Sequence, residues 1–290
     1  MCRLFGFRSS VSLRVHHSLV AAENALGVQS RAHPDGWGVG FYEDDHPRVI
    51  KDARPAFDDA GFVRISQMIT SSVVIAHIRR ATVGQVGICN THPFQLGPWL
   101  FAHNGTVEGF SQLRPFFIEE IDSDLLPHLT GNTDSEHCFL LLLTELERMG
   151  CLIEPTASQL CEALEETLRR IDDWSRILGT EPPIMNFLVT NGVHFAATRF
   201  GRRLFFSTQK RQMCSDYERC PSASRPCLGP QRGEGPLTHL AVASEPISQE
   251  DLWEELPDNV VCLVDNHMDI HWRNGVVENP RPRARTAERL

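Results

Sequence analysis

The chain has 290 residues, of which 41% are hydrophobic, so it can bury a substantial core as one large domain or two small ones. Its net charge of −9 argues against binding to nucleic acid or to an anionic membrane surface. Residues 2–20 lack the continuous apolar stretch of a secretory signal, and the nine cysteines lack the spacing of a disulfide framework, so we expect a cytoplasmic protein with free thiols.

Short segments rich in β-branched and aromatic residues predict strands along most of the chain. Asn191-Gly192 lies between two of these segments and predicts a two-residue hairpin turn. In chain order, the predicted strands cover residues 4–7, 38–42, 73–78, 99–102, 185–190, 193–198, 204–207, 240–243 and 260–264.

Helical periodicity occurs between those strands. Residues 17–26 and 57–69 predict short helices, and residues 135–149, which are apolar nearly all round, predict a buried helix. An apolar stripe predicts an amphipathic helix over 156–178. Because the strands do not alternate regularly with the helices, we expect an α+β fold in which two antiparallel sheets lie between helical layers.

Two segments lack the pattern of regular structure. Residues 208–236 are rich in Cys, Pro, Gly, Ser and charge, and they predict a surface loop or insertion. Residues 273–290 are rich in Arg and Pro and predict a mobile C-terminal tail. The sequence therefore predicts one folded domain over residues 2–272.

Three cysteines of the predicted loop invite comparison with a zinc site. The spacing gives no C-x-x-C pair among Cys214, Cys220 and Cys227, and no fourth ligand can be identified in the sequence. We therefore predict no metal.

The chemistry that we expect begins at Cys2, directly after Met1. Once Met1 is removed, Cys2 carries both a thiol and a free α-amine, whose ordinary pKa values of about 8.5 and about 7.7–8.0 suit proton transfer near neutral pH. The thiol would act as the nucleophile and the amine as its base. A cysteine at position 2 is a weak signal alone, so the downstream motifs decide its weight.

Six short motifs occur in order within residues 2–136. They are Cys2-Arg3-Leu4-Phe5-Gly6-Phe7, His33-Pro34-Asp35-Gly36-Trp37-Gly38, Ala76-His77-Ile78-Arg79-Arg80-Ala81-Thr82, Asn90-Thr91-His92-Pro93-Phe94, Phe101-Ala102-His103-Asn104-Gly105 and Gly131-Asn132-Thr133-Asp134-Ser135-Glu136. Their order and spacing resemble the glutaminase domain of class II glutamine amidotransferases, which are N-terminal-cysteine members of the Ntn-hydrolase superfamily. The stand-alone members, such as γ-glutamyl hydrolases of thiol metabolism, are the most similar.

The resemblance implies a four-layer αββα sandwich with two antiparallel sheets and a hydrolysis that needs no cofactor. It implies that Cys2 forms a γ-glutamyl thioester while Arg79 binds the α-carboxylate of the substrate and Asp134 its α-ammonium group. A planar guanidinium matches a carboxylate bidentately, and a carboxylate offsets the partial positive charge of a helix N-terminus. Thr133 and Glu136 also predict a capping box at that terminus.

Asn104 and Gly105 are expected to form the oxyanion hole, through the side-chain amide of Asn104 and the backbone N–H of Gly105. The absence of a Cβ at Gly105 would let the substrate approach closely. By residue type the pair also predicts a tight turn, and the two interpretations are compatible. Gly36 and Trp37 are expected to form a wall of the pocket, although packing alone would explain them equally well.

Arg80 stands where the synthetase-linked members of the family have a tryptophan in a loop that closes over glutamine. This departure puts ammonia channelling in doubt and favours a substrate larger than glutamine. Because the N-terminal amine makes a catalytic histidine unnecessary, we interpret His77, His92 and His103 as hydrogen-bonded structural residues.

The leading prediction is therefore an enzyme that hydrolyses the γ-glutamyl amide of glutamine or of a small γ-glutamyl compound. The alternatives are a glutaminase subunit that delivers ammonia to a separate synthetase, and a non-catalytic protein that binds a γ-glutamyl ligand. Activity without a partner would separate the first two, and retention of Met1 would favour the third because the base is then missing. The expected partner is a small-molecule γ-glutamyl substrate, with a homo-oligomer or a synthetase partner left open.

Overall fold

A computed structural model gives the structure of the protein and describes residues 2–209 and 237–277. Within these residues, two antiparallel sheets are enclosed between helices. The strands are β1 (Arg3–Arg14), β2 (Trp37–Glu43), β3 (His46–Asp52), β4 (Thr70–Ile78), β5 (Phe94–Leu96), β6 (Trp99–Thr106), β7 (Ile184–Thr190), β8 (Phe195–Arg199), β9 (Phe205–Ser207), β10 (His239–Ala243), β11 (Glu254–Glu255), β12 (Val260–Val264) and β13 (Ile270–Asn274). The α-helices are α1 (Leu26–Gln29), α2 (Ala60–Met68), α3 (Phe110–Glu120), α4 (Asp134–Arg148) and α5 (Ala157–Leu178).

Both sheets contain strands that are distant in the chain. The first sheet has the order β11-β9-β10-β1-β4-β2-β3, and the second has the order β13-β12-β8-β7-β6-β5. All of these pairings are antiparallel. The predicted α+β class with two antiparallel sheets is confirmed.

Three apolar cores hold the four layers together. In β1, the side chain of Leu4 lies in the core between the two sheets, whereas that of Phe5 lies in the core shared with α1 and α2. In β6, Leu100 lies between the sheets, whereas Phe101 lies in the core shared with α3, α4 and α5. Neighbouring residues of a strand point to opposite faces, so each central strand contributes to two cores at once.

The start of α4 shows only half of the predicted capping box. The hydroxyl of Thr133 accepts a hydrogen bond from the N–H of Glu136 at 3.3 Å, which confirms Thr133 as the N-cap. The carboxylate of Glu136 does not return to Thr133, since it accepts from the N–H groups of Thr130 and Gly131 at 3.0 and 2.6 Å. Glu136 thereby anchors the loop that leads into α4, and the capping-box prediction was wrong.

The two longer predicted helices are confirmed as α4 and α5, with ends within one residue of those expected. The segment predicted as one short helix over 17–26 is instead a π-helical turn, His17–Ala21, followed by α1. The sequence did not predict α3, which contains Pro115 in its middle. Proline lacks an N–H group and disfavours a helix interior, so this residue obscured the signal.

The hairpin between β7 and β8 is confirmed, but its loop is longer than predicted. Thr190 pairs with Phe195, so four residues rather than two connect the strands. The side-chain oxygen of Asn191 accepts from the N–H groups of Val193 and His194 at 3.1 and 2.9 Å. Asn191 therefore stabilises the loop through its side chain, and Asn191-Gly192 is not a two-residue turn.

Most of the predicted loop over 208–236 and most of the predicted tail over 273–290 lie outside the described residues, as do the three loop cysteines at 214, 220 and 227. The last described strand, β13, ends at Asn274. Among the described helices, none combines the length and the apolar character that crossing a bilayer requires.

Candidate active site

Strand register brings several sequence motifs to one end of the first sheet. β1 and β2 lie on either side of β4, and the first residue of each pairs with Ile78, the last residue of β4. The residues directly before β1 and β2 are Cys2 and Gly36, and in this register they flank Arg79. Consistent with this, the N–H of Arg79 donates to the carbonyl oxygen of Gly36 at 2.8 Å.

The thiol of Cys2 lies against the backbone of Arg80. The Sγ atom accepts from the N–H of Arg80 at 3.3 Å and lies 3.4 Å from its carbonyl oxygen. Burial raises the pKa of the Cys2 thiol, while the Arg80 N–H and the guanidinium of Arg79 act in the opposite direction. The net shift is upward, so the thiol is protonated near neutral pH and its attack on a substrate requires a base.

The second motif holds this backbone in place through Asp35. Its carboxylate accepts from the N–H of Ala81 at 2.9 Å, and its own N–H donates to the carbonyl oxygen of Arg79 at 3.1 Å. Asp35 therefore fixes the backbone of Arg79 and Ala81, which lie on either side of Arg80. The N–H of Arg80 contacts Cys2. We did not single out Asp35 from the sequence, although it belongs to the motif that begins at His33.

Arg79 is a buried cation, with 2% of its surface exposed. Its guanidinium donates to the carbonyl oxygens of Gln85 and Val83 at 2.9 and 3.1 Å, and it makes no ion pair within the described residues. Burial lowers the pKa of Arg79, because the charged form loses hydration. A guanidinium has five N–H groups, so Arg79 keeps donors for an anion that would also offset its buried charge.

Asp134 is the first residue of α4 and is also buried. One carboxylate oxygen accepts from the N–H of Val107 at 2.8 Å, and the other accepts from the N–H and hydroxyl of Ser135 at 2.9 and 3.3 Å. These contacts attach the start of α4 to the end of β6. An ionised carboxylate has about four lone-pair sites, so Asp134 can still accept a hydrogen bond from a cation.

Asn104 and Gly105 continue strand β6, where they pair with Asn186 and Met185. The predicted tight turn at these two residues was therefore wrong. The side-chain nitrogen of Asn104 donates to the hydroxyl of Ser244 at 3.0 Å, which links the second sheet to the segment after β10 in the first. The side-chain oxygen of Asn104 is buried and has no hydrogen-bond partner among the described residues.

The strand contact itself requires a glycine at position 105, whatever its role toward a substrate. A Cβ atom at this position would lie 1.8 Å from the carbonyl oxygen of Ile184 and 2.5 Å from the Nε2 atom of His103. The glycine is therefore imposed by contact between β6 and β7, independently of any substrate.

Comparisons with known proteins identify the family of this chain. A family profile described as glutamine amidotransferases class-II matches residues 1–214. The chain belongs to this family. It is 26% identical to a probable glutamine amidotransferase of Saccharomyces cerevisiae, over 91% of this chain and 82% of the yeast protein. It is 35% identical to a γ-glutamyl-hercynylcysteine sulfoxide hydrolase of Mycobacterium tuberculosis, over 37% of this chain and 50% of that protein.

A solved structure shows the same fold. The glutamine aminotransferase class-II domain protein of Silicibacter pomeroyi has a TM-score of 0.65 and 21% identity to this chain, and the match covers 94% of this chain and 99% of that one. The four-layer αββα sandwich that the motifs implied is thus confirmed. Family membership, together with a γ-glutamyl hydrolase among the relatives, identifies this amidotransferase-family protein as an enzyme.

Gly36 and Trp37, which were also expected near the pocket of this class II amidotransferase, lie in different surroundings. The backbone of Gly36 contacts Arg79 as described above, and a Cβ at Gly36 would lie 2.9 Å from the carbonyl oxygen of Asp52. The indole of Trp37 is buried in the core shared with α2, where it meets Phe62 edge-on and donates to the carboxylate of Asp59 at 2.9 Å. The contacts of Trp37 are thus those of a core residue, and a pocket wall at these positions stays a prediction.

The buried histidines of the amidotransferase fold have different environments. His103 confirms the structural interpretation, because its ring nitrogens lie 2.9 Å from the hydroxyl of Ser135 and 2.9 Å from the carbonyl oxygen of Ile184. For His92 the expected hydrogen bonds are absent from the described residues. Its ring instead packs against that of His77, with centroids 4.2 Å apart and the ring planes tilted by 38°.

Proposed function

We propose that this protein hydrolyses the γ-glutamyl amide bond of a small γ-glutamyl compound, through a thioester on Cys2 after removal of Met1. The observation that supports this most is the placement of two buried charged residues near the thiol. Arg79 directly follows the residue that pairs with Arg3, which places it beside Cys2, and Asp134 is buried at the start of α4. Burial raises the pKa of the Cys2 thiol, a shift that Arg79 opposes and Asp134 adds to. The amino-acid end of a γ-glutamyl compound carries one carboxylate and one ammonium group, which complement this pair.

The proposed reaction has two stages. The sulfur of Cys2 attacks the γ-carbonyl carbon while the thiol proton passes to the α-amine of the same residue. The resulting oxyanion would be stabilised by the side-chain amide of Asn104 and the backbone N–H of Gly105, and one such donor is worth about 3–4 kcal/mol of barrier. The C–N bond then breaks as the α-ammonium group returns its proton to the leaving amine. Water hydrolyses the thioester and releases glutamate and the free thiol.

The proposed substrate contacts make use of the hydrogen-bonding capacity that the protein leaves open. Arg79 has two guanidinium contacts, both to carbonyl oxygens of the loop that follows it, so the loop orients the group while other N–H donors stay available. Asp134 is held by Val107 and Ser135 and retains a lone pair. We assign the substrate α-carboxylate to Arg79 and the α-ammonium group to Asp134.

The leaving group is proposed to be larger than ammonia. The side chain of Arg80 is exposed and makes no hydrogen bond or ion pair within the described residues, while its backbone contacts Cys2. An exposed cation on a residue whose backbone contacts the nucleophile would suit a substrate with a polar or acidic leaving group that reaches this side chain. A hydrolase named for γ-glutamyl-hercynylcysteine sulfoxide among the relatives supports a substrate of this size.

The direct experiment is an assay of the purified protein alone against glutamine and a panel of γ-glutamyl thiols, with released glutamate as the readout. We expect hydrolysis without a partner, an intact mass that lacks Met1, and no hydrolysis by the Cys2→Ala variant. Activity only on glutamine, and only in the presence of a synthetase, would support ammonia delivery instead. A protein that lacks Met1 but releases no glutamate from any γ-glutamyl compound would contradict the proposal.

A further inference from the structure

A buried serine joins the nucleophile strand to Asn104. Ser244, which directly follows β10, is 7% exposed. Its N–H donates to the carbonyl oxygen of Leu4 at 3.0 Å, and its hydroxyl accepts from the N–H of Leu4 at 2.9 Å. The same hydroxyl oxygen lies 3.0 Å from the side-chain nitrogen of Asn104. Ser244 therefore contacts both the residue two positions beyond Cys2 and the expected oxyanion donor.

The hydrogen bonds around Ser244 are incomplete in this arrangement. A serine hydroxyl has one proton to donate and two lone pairs. Here both lone pairs are used, by Leu4 and by Asn104, while the proton has no acceptor among the described residues. The side-chain oxygen of Asn104 is buried and also lacks a partner there. An unsatisfied buried polar atom typically costs about 1–3 kcal/mol, so the arrangement holds one donor and one acceptor that could satisfy each other.

If the Asn104 amide is rotated by a half turn about its Cβ–Cγ bond, the Ser244 hydroxyl proton and the Asn104 side-chain oxygen can form a hydrogen bond with each other. The amide oxygen then takes the place of the nitrogen, 3.0 Å from the Ser244 hydroxyl, which can donate its proton while still accepting from Leu4. Both N–H bonds of the amide are then left without a protein partner among the described residues. Only this orientation of Asn104 offers an oxyanion two donors from the side chain.

We propose that Ser244 is a positioning residue of the oxyanion hole, whose hydroxyl donates to Asn104 and so orients the amide N–H groups toward the substrate. This inference rests on the proposed function, because it gives Asn104 the role of oxyanion donor. Ser244 would also connect the two sheets, because its hydroxyl contacts both the backbone of Leu4 in β1 and the side chain of Asn104 in β6. Ser244 thereby fixes the position of the strand that follows the nucleophile relative to the oxyanion donor.

A double-mutant cycle tests whether Ser244 acts through Asn104. Glutamate release is measured for the wild type, Ser244→Ala, Asn104→Ala and the double variant, on the best substrate from the panel above. We expect Ser244→Ala to lower kcat about tenfold with KM changed less than about twofold, because the Asn104 amide is no longer held toward the transition state. In the Asn104→Ala background, the same change should lower kcat less than about twofold. An equal loss in both backgrounds, or an unchanged kcat in Ser244→Ala, would overturn the proposal.

Two further variants separate positioning from folding. Ser71→Ala is the matched control, because Ser71 is a buried serine near the opposite end of the same sheet whose hydroxyl also contacts backbone groups. It should keep the wild-type kcat even if its melting temperature falls. Should Ser244→Ala fail to fold, Ser244→Cys replaces the hydroxyl with a slightly larger thiol that is only a weak donor. A folded Ser244→Cys variant with full kcat would overturn the proposal, and a severalfold loss would support it. Wild-type protein that releases no glutamate would instead overturn the proposed function itself, and this inference with it.

Discussion

The backbone N–H of Arg80 donates to the Sγ atom of Cys2 over 3.3 Å, although the two residues are 78 positions apart in the chain. The contact exists because β1 and β4 pair antiparallel and Cys2 falls beside the end of β4. A backbone donor does not depend on the identity of residue 80. The side chain of Arg80 can therefore vary with the substrate while the environment of the thiol is preserved.

Replacement of Cys2 by alanine should abolish glutamate release, because the nucleophile is lost, and should leave the melting temperature almost unchanged, because the side chain is only partly buried. A glutamine-like electrophile should label the wild type at Cys2, as read by peptide mass spectrometry. The matched control is Cys89→Ala, which removes an exposed thiol that has no part in the proposed reaction and should keep full activity. Labelling of Cys89 in place of Cys2 would show that the nucleophile has been assigned wrongly.

Arg79→Ala and Asp134→Ala should each reduce kcat/KM by a factor that corresponds to about 2–5 kcal/mol, since each removes one partner of a buried charge-assisted contact. The reduction should depend on the substrate. Arg79→Ala should matter much less for a substrate whose α-carboxylate is converted to an amide, and Asp134→Ala much less for one whose α-amine is acylated. Steady-state kinetics on the four enzyme–substrate pairs provide the measurement.

The modified substrates also serve as the control for this pair of variants. A variant that is merely less well folded loses activity on every substrate by the same factor. If the losses of Arg79→Ala are equal on the free acid and on its amide, Arg79 does not contact the α-carboxylate, and the same comparison on acylated substrate decides for Asp134.

The parts of the fold that could be predicted are those with long, regular apolar patterns. α4 and α5 were predictable because their apolar positions recur over more than ten residues. β3 was missed because only one face of that strand is half-buried and its sequence contains proline, lysine and arginine. β5 has only three residues, too few for an alternation to be recognised.

Sequence motifs indicate candidate site residues, but they cannot show contacts that arise from long-range strand pairing. The motifs indicate Cys2 and Asp134, whose roles stay predictions. Ser244 could not be identified in this way, because its contact with Asn104 depends on the register of β10 against β1, about 240 residues apart in sequence. For Gly105 the sequence indicates a role toward the substrate, which stays a prediction, but not the close approach of Ile184, which exists only once the strands are paired.

Gly105→Ala should destabilise the protein, because the added methyl group would meet the carbonyl oxygen of Ile184 at 1.8 Å and a backbone atom cannot easily move away. Overpacking of this kind costs about 1–3 kcal/mol in the free energy of unfolding, which urea denaturation measures. The control is Gly87→Ala, since a Cβ at Gly87 meets no atom within 4 Å. Equal stability of the two variants would contradict the strand contact.

The stability of the protein should fall steeply in acid because of its buried histidines. Burial, with the nearby charge of Arg79, lowers the pKa of His77 to about 3, well below the ordinary 6.5. The unfolded chain therefore binds a proton on His77 at a higher pH than the folded protein does. The stability contribution is complete above about pH 6.5 and is lost at about 1.4 kcal/mol per pH unit as the pH falls toward 3.

Urea denaturation of His77→Gln between pH 7 and pH 4 checks this pH dependence. The variant should be less stable at neutral pH, but its free energy of unfolding should fall less steeply with acid, by about one proton in the linkage slope. His46→Gln, which removes an exposed histidine, is the comparison variant. An unchanged slope in His77→Gln would mean that His77 takes up its proton equally in the folded and unfolded states.

The last prediction concerns the leaving group. A γ-glutamyl compound with a bulky, acidic leaving group should have a higher kcat/KM than glutamine, because Arg80, whose backbone contacts Cys2, has an exposed side chain that makes no ion pair within the described residues. Arg80→Ala should reduce this advantage while leaving glutamine hydrolysis nearly unchanged, since the N–H that contacts Cys2 is retained. Arg80→Lys should keep part of it, because the charge persists. Arg31→Ala, which removes another exposed arginine, is the matched control. If glutamine is preferred tenfold or more, equivalent to about 1.4 kcal/mol, the proposal of a large leaving group fails and a plain glutaminase or an ammonia donor takes its place.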